Sequence, residues 1–69
     1  MNFGKALDLM RDGKAVAREQ WDGRTLEIIE PGPNAQMTLS YIYETSGNGD
    51  CVPWAASHQE LLATDWGEV

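Results

Sequence analysis

Only one cysteine, Cys51, occurs in this chain of 69 residues, so no internal disulfide can stabilise the fold. A domain of about 60 residues buries only about 60% of the surface that its unfolded chain exposes. Domains of this size usually gain stability from disulfides, a metal or a partner chain. One histidine and one cysteine are too few for a four-ligand zinc site, so no metal or cofactor is expected. The sequence therefore predicts a single domain over 1–69 that assembles as a homo-oligomer.

The charges are segregated along the chain, which carries a net charge of −6. Residues 25–69 contain seven carboxylates and neither lysine nor arginine. An acidic surface repels phosphate backbones, so a nucleic-acid polymer is not an expected partner. A small anionic ligand would need Arg11, Arg18, Arg24 or backbone N–H groups. A solvated acidic surface accounts for most of the carboxylates.

The composition excludes other classes of protein. Hydrophobic residues make up 42% of the chain, so it is not expected to be disordered. No apolar run begins the sequence, and none approaches the roughly 20 residues of a membrane span. The expectation is a soluble cytosolic protein without a signal peptide or a membrane partner.

Hydrophobic periodicity predicts two helices. Apolar residues recur at helical spacing from Phe3 to Met10, which predicts an amphipathic helix over 3–12 with Asn2 as its cap and Gly13 at its end. Ser57 and Glu60 fit a capping box. A short helix over 58–63 should follow and bury Leu61 and Leu62.

Alternating patterns predict strands between and after these helices. Tyr41 and Tyr43 share one face of their strand with Met37 and Leu39, and Ile42 and Glu44 lie on the other. Pro53 confines its strand to an edge. Turns or loops are expected over 21–24, 31–34 and 46–50. The predicted strands cover 15–18, 25–30, 37–44, 51–54 and 65–69. The fold class is α+β: a small antiparallel sheet, an N-terminal amphipathic helix and a short C-terminal helix.

The candidate binding residues are aromatic and basic. Trp21 and Trp54 border loops, where a tryptophan can stack on a nucleobase or pack in a core or interface. Core packing is favoured for Trp66. The segment 18–25 offers guanidinium groups, an indole and a glycine turn, which are the parts that a nucleotide-like ligand needs. In the simpler interpretation, its two arginines pair with nearby Glu19 and Asp22.

No motif indicates catalysis. Ser57 and His58 are adjacent and cannot form the usual nucleophile–base pair, so Ser57 is interpreted as a cap and His58 as exposed. Cys51 is interpreted as a small core residue and not as a reactive thiol. The Asp8 and Asp12 pair fits a solvated helix face better than a metal clamp. No catalytic residue is assigned, and the protein is not expected to be an enzyme.

Several short sequence motifs, in this order and spacing, resemble those of the short phage proteins of the second Thoeris anti-defence family. They cover about residues 3–24 and 37–69, and they are Phe3-Gly4-Lys5-Ala6-Leu7, Gly13-Lys14, Arg18, Trp21-Asp22-Gly23, Tyr41-Ile42-Tyr43, Val52-Pro53-Trp54 and Leu61-Leu62-Ala63-Thr64-Asp65-Trp66.

The resemblance implies a function. Members of that family bind glycocyclic ADP-ribose, a cyclic nucleotide-derived immune signal, and hold it without cleaving it, so that the bacterial effector stays inactive. They assemble as homotetramers with ligand pockets between subunits. Some relatives accept cyclic oligonucleotide signals, which would extend the role to CBASS-type defence, and one branch is linked to CRISPR inhibition. The implied location is the cytoplasm of the infected bacterial host.

The resemblance also carries over to individual residues. Trp21 would stack on a base, Gly23 would allow close approach, and Arg18 would meet a phosphate. Asp22 replaces an asparagine that is frequent in the family, which removes two amide donors and adds a negative charge. The polar contact at this position is then either lost or shifted to a ribose hydroxyl. The full expected ligand-binding set is Arg18, Trp21, Asp22, Gly23, Arg24, Thr25, Trp54, Ser57 and Asp65.

Two other hypotheses remain open at this point. The chain would be a protein-binding inhibitor, for example of a CRISPR nuclease, if its acidic face mimicked a nucleic acid. It would be an enzyme if it degraded the signal, although no nucleophile–base pair or metal cluster is visible.

Overall fold

A computed structural model describes residues 1–30 and 39–69. It contains two helices and a five-stranded antiparallel sheet with the strand order β4-β3-β2-β1-β5. The predicted α+β class is confirmed, whereas the loop predicted over 31–34 and the first two residues of the strand predicted over 37–44 lie outside the described residues. The elements are α1 (Phe3–Arg11), β1 (Val16–Arg18), β2 (Thr25–Ile29), β3 (Tyr41–Thr45), β4 (Cys51–Pro53), α2 (His58–Leu62) and β5 (Trp66–Glu68).

Helix α1 begins and ends where its sequence predicts. The side chain of Asn2 accepts a hydrogen bond from the Lys5 N–H at 2.9 Å, which satisfies one of the unpaired donors at a helix start. Gly13 follows the helix with a positive φ of 87°, a conformation that glycine adopts without strain. Ala6 and Met10 turn toward the sheet and are buried.

The last strand, β5, crosses back to pair with β1, where Trp66 lies opposite Arg18. Strands β2, β3 and β4 form consecutive hairpins, and β4 is an edge strand, as Pro53 predicts. The expected tight turn between β1 and β2 is instead a connection over residues 19–24, because only Val16 and Leu26 pair between these strands.

The core lies between α1 and one face of the sheet. Its buried residues come from α1, β1, β2 and β5, and they are Ala6, Met10, Val16, Leu26 and Trp66. Burial of Trp66 confirms the core role that the sequence favours for it. Helix α2 contacts α1, and Ala63 after it packs against the same core. Both helices therefore cover one face of the sheet.

Three residues that were predicted to be buried are exposed. Leu61 and Leu62 are 42% and 81% exposed. Helix α2 is short, and the residue that it turns toward the core is Glu60, whose carbonyl accepts a hydrogen bond from Trp66. Cys51 is also exposed, since it lies on the edge strand β4 opposite Thr45, on the face that the helices leave uncovered.

The other face of the sheet, which we call the open face, is formed by alternate residues of the strands. The tyrosines of β3 belong to it, because Ile42 and Glu44 point toward the helices. Burial and the neighbouring Glu27 carboxylate raise the pKa of Tyr43. A shallow concavity of about 310 Å³ lies among Ile29, Tyr41, Tyr43, Cys51, Val52 and Pro53. Among the described residues, no helix has the length and apolar character needed to cross a bilayer.

Candidate functional site

Four aromatic side chains meet where α1, β5 and two connections converge. Trp66 is central: its ring lies 5.3 Å from that of Phe3, 5.2 Å from Trp21 and 6.1 Å from Trp54, each in an edge-to-face arrangement. Phe3 and Trp54 are also 5.5 Å apart. We call these four residues the aromatic cluster. Because Trp21 and Trp54 are half-buried, the cluster extends from the core to the surface.

The connection between β1 and β2 holds Trp21 at the surface. Its N–H donates to the Arg18 carbonyl at 3.1 Å, which turns the chain as it leaves β1. Arg24, at the end of the same connection, places its guanidinium carbon 4.1 Å from the centre of the Trp21 ring. This is the geometry of a cation–π contact. The interaction holds the indole and the guanidinium together before any ligand is present.

Two carboxylates hold the Arg24 guanidinium in place. Its Nη2 and Nε donate to the two Glu44 oxygens at 2.8 and 3.2 Å, in the bidentate geometry that arginine and carboxylate groups favour. A Glu60 oxygen lies 3.9 Å from the same Nη2. We call Arg24, Glu44 and Glu60 the Arg24 triad. It ties the β1–β2 connection to strand β3 and to helix α2.

Glu60 connects the Arg24 triad to the aromatic cluster. The Ser57 N–H and hydroxyl both donate to a Glu60 carboxylate oxygen at 3.0 Å, and the Glu60 N–H donates to the Ser57 hydroxyl at 3.2 Å. The predicted capping box is thereby confirmed. The Glu60 carbonyl accepts a hydrogen bond from Trp66 Nε1 at 3.0 Å. Ser57 thus acts on the site through Glu60, by fixing its carboxylate.

A second ion pair lies at the β1–β5 side of the cluster. Arg18 Nε donates to an Asp65 oxygen at 2.9 Å. This hydrogen bond from the Arg18 guanidinium holds the pKa of the Asp65 carboxyl below its usual range. The local pairing of arginines with Glu19 and Asp22 that the sequence suggested is wrong, because Arg18 pairs with Asp65 and Arg24 with Glu44.

Gly23 is required by the fold. Its φ is 78°, and a Cβ at this position would lie 3.1 Å from the backbone Cα of Gly47. Asp22 beside it is exposed, and its carbonyl faces the same glycine of the β3–β4 loop. The two connections therefore pack backbone against backbone at the rim of the site.

The structure brings together most of the residues that the sequence singles out. Trp21 and Trp54 pack against Trp66, Arg24 lies over the Trp21 ring, and the Arg18–Asp65 pair adjoins Trp66. Thr25 lies apart, on the open face opposite Thr45. Glu44 and Glu60 were not predicted from the sequence as partners of Arg24. The register Leu26–Glu44 places Glu44 diagonally from Arg24, but no local sequence pattern encodes this register.

One hydrogen-bond donor of the cluster lacks an acceptor in the part of the chain that the structure describes. Trp54 Nε1 is buried and has no hydrogen-bond partner among the described residues. Buried polar groups are paired in the large majority of cases, so an unpaired indole N–H beside a surface cluster is unusual. It is a donor that a ligand or a second chain can satisfy.

The side chains of the site have the chemistry to bind a small molecule. Its side chains provide aromatic faces, guanidinium donors and carboxylates, which suit a flat, polar, anionic molecule. His58 is exposed, as the sequence predicts. Within residues 1–30 and 39–69, no three metal-ligating side chains lie together. Two other concave regions, of about 410 and 470 Å³, lie at the α1–β3 side and along β5.

Fold and site together define a small α+β domain with an aromatic and arginine-lined surface site. The chain belongs to the Thoeris anti-defense 2-like domain family, which matches residues 1–69. This match covers the whole chain and confirms the resemblance that the sequence motifs indicate. It supports a role in phage anti-defence. A comparison with curated proteins gives no match.

Proposed function

We propose that this protein binds and sequesters a cyclic nucleotide-derived immune signal without cleaving it, and so blocks Thoeris-type effector activation. The ligand expected from the family is glycocyclic ADP-ribose, with cyclic oligonucleotides of CBASS-type systems as further ligands. The observation that carries the proposal is the Arg24 guanidinium held 4.1 Å over Trp21. Indole and guanidinium planes are the surfaces on which proteins stack nucleobases.

Sequestration sets a demand on affinity. A sponge must hold its ligand more tightly than the effector does, which means nanomolar binding or about −12 kcal/mol. Stacking contributes about 1–3 kcal/mol per base. The rest must come from charge-assisted hydrogen bonds in a closed pocket, for which Arg18, Arg24 and the Asp22–Gly23 backbone are the candidates.

A homo-oligomer would provide such a closed pocket. The chain buries five hydrophobic residues among those described and leaves a near-neutral open face, on which Glu27 is the one charged position. We propose a homotetramer, as the family resemblance implies, in the host cytoplasm. Sites between subunits would enclose a ligand that a single surface cluster contacts from one side.

Binding without turnover fits the residues of the site. The proposal needs no nucleophile, and the side chains at the cluster are matched with one another instead of being poised to react. Arg18 is bonded to Asp65, Arg24 to Glu44, and Ser57 to Glu60.

The acidic-face hypothesis has less support. Three carboxylates of residues 25–69, the segment without lysine or arginine, form ion pairs with arginines: Glu44, Glu60 and Asp65. Two arginines offset part of the charge of these three carboxylates, which leaves less of it available to mimic a nucleic acid. An inhibitor of a CRISPR nuclease that uses this face is therefore the second candidate.

The proposal is tested by depletion and recovery. Purified protein is incubated with glycocyclic ADP-ribose or with cyclic di- and trinucleotides, the mixture is filtered, and free ligand is assayed before and after heat denaturation. We expect depletion followed by full recovery of the intact ligand. Depletion without recovery would mean that the protein is an enzyme. If none of the tested ligands is depleted, the result would favour a protein target.

A further inference from the structure

The charges of the Arg24 triad do not balance. One guanidinium faces two carboxylates: Glu44 makes the bidentate pair, and Glu60 lies 3.9 Å from Arg24 Nη2. The triad therefore has an excess of one negative charge, at the place where the proposed function requires an anionic ligand to bind. Such an arrangement opposes the binding of any anion, and the opposition grows with the charge of that anion.

The guanidinium is the outermost member of the triad. The Arg24 side chain is 37% exposed, whereas those of Glu44 and Glu60 are 20% and 16% exposed. Nε and Nη2 are directed to the carboxylates, and Nη1 has no hydrogen-bond partner in the described part of the chain. A ligand phosphate that bonds to Nη1 therefore also comes close to both carboxylates.

Repulsion from the carboxylates grows with the charge that the ligand brings to this position. A cyclic nucleotide has no terminal phosphate, so each of its phosphates carries one negative charge. A nucleoside triphosphate carries several adjacent charges on one flexible chain. The same two carboxylates therefore penalise the triphosphate more strongly than the cyclic ligand.

We propose that Glu44 and Glu60 are specificity-determining residues that exclude nucleoside polyphosphates from the Arg24–Trp21 site. Discrimination by repulsion is a general means of rejecting competing ligands. A protein that sequesters a scarce signal gains from it, because free nucleoside triphosphates would otherwise occupy the same stacking surface. The inference rests on the proposed function, since it concerns the selectivity of that site.

Glu60→Gln is the most informative variant. Glutamine also serves in a capping box, so the start of α2 should be preserved. Glu60 makes no hydrogen bond to Arg24, so the substitution removes a charge and leaves the bidentate pair with Glu44 in place. Glu44→Gln repeats the test at the bonded carboxylate. Glu27→Gln is the matched control, because Glu27 lies on the open face of the same strand pair.

The measurement is the dissociation constant of each variant for ATP and for glycocyclic ADP-ribose in the same buffer, with thermal unfolding as the check of folding. We expect Glu60→Gln to bind ATP at least tenfold more tightly than the unmodified protein. Its affinity for the cyclic ligand should rise by a smaller factor, so that the ratio of the two affinities shifts toward ATP. Glu44→Gln should shift the ratio of the two affinities in the same direction, and Glu27→Gln should leave the ratio unchanged.

The outcomes separate the two proposals. If the cyclic ligand binds and folded Glu60→Gln and Glu44→Gln proteins keep the original ratio, the exclusion role is wrong while the proposed function stands. The same holds if Glu27→Gln shifts the ratio equally, because the effect would then reflect net charge alone. If the unmodified protein binds no cyclic nucleotide, the proposed function is wrong, and the inference fails with it.

Discussion

The guanidinium carbon of Arg24 lies 4.1 Å from the centre of the Trp21 ring. The contact is fixed from both sides, because Glu44 holds the guanidinium and Trp66 packs edge-to-face against the indole at 5.2 Å. Trp21 and Arg24 would therefore contact the proposed ligand as one unit. Removing either residue changes the surface that the other presents, so their contributions to binding should not be additive.

Trp21→Ala should weaken binding of the cyclic ligand strongly and leave assembly intact. Loss of a stacking contact of about 1–3 kcal/mol corresponds to a roughly 5- to 150-fold higher dissociation constant. Calorimetric titration measures this change, and light scattering after gel filtration monitors the oligomer. Trp21→Phe, which retains an aromatic face, is the control and should lose less. Unchanged affinity in a folded Trp21→Ala protein would show that the site is assigned to the wrong residue.

Gly23→Ala should destabilise the fold more than Gly13→Ala. Both glycines have a positive φ, of 78° and 87°, which costs a residue with a Cβ about 1–2 kcal/mol. Only at Gly23 would the new Cβ also meet a backbone atom, the Gly47 Cα at 3.1 Å; nothing lies within 4 Å at Gly13. Urea unfolding should therefore show an extra loss of about 1 kcal/mol or more for Gly23→Ala. Equal losses would mean that the two loops do not pack closely.

The Arg18–Asp65 pair should make stability depend on pH at the acidic end. The Arg18 hydrogen bond lowers the pKa of Asp65 in the folded protein below its unfolded value of about 3.9. The pair therefore stabilises the fold above that pH, and the contribution is lost as the pH falls through the folded pKa. Asp65→Asn should lower the free energy of unfolding at pH 7, with a difference that shrinks below about pH 3.9.

Asp8→Asn is the control for the Asp65 experiment. Asp8 is exposed on α1 and forms no ion pair within the described residues, so its substitution should change stability little. A difference for Asp65→Asn that persists unchanged to low pH would show that the hydrogen-bonded charge is not its cause.

Ile29→Lys should disrupt the proposed oligomer through the open face. Ile29 is 42% exposed, and it lines the concavity with Tyr41 and Tyr43. A lysine there would bring charge into a near-neutral surface that two copies would have to desolvate. Sedimentation should show a smaller species for Ile29→Lys than for the unmodified protein.

Leu62→Lys is the comparison for this assembly test, because Leu62 is the most exposed large hydrophobic residue described and lies on α2. If Leu62→Lys dissociates the oligomer and Ile29→Lys does not, the subunits meet through α2. A monomer in both the variants and the unmodified protein would contradict assembly altogether.

The locally determined parts of the fold were predictable from the sequence. Asn2 and Gly13 define the ends of α1, and the Ser57–Glu60 capping box defines the start of α2, because each of these motifs spans a few residues. The edge position of β4 followed from Pro53 for the same reason. Capping and turn chemistry depend on near neighbours and not on the tertiary fold.

The partners of the arginines were not predictable in the same way. Arg24 meets Glu44 twenty residues away, and Arg18 meets Asp65 forty-seven residues away. These contacts depend on strand register and on the return of β5 to pair with β1, which no local pattern encodes. The exposure of Leu62 has a similar cause, since the side of α2 that faces the core is set by tertiary packing.

The dissociation constant of the purified protein for glycocyclic ADP-ribose tests the central claim most directly. Titration calorimetry with intact ligand, followed by chromatography of the mixture, measures affinity and cleavage in one experiment. The proposed sequestration predicts a nanomolar or lower constant with the ligand recovered unchanged. A micromolar or weaker constant, for this ligand and for the cyclic oligonucleotides alike, would contradict it, because such a protein would leave the signal to the effector.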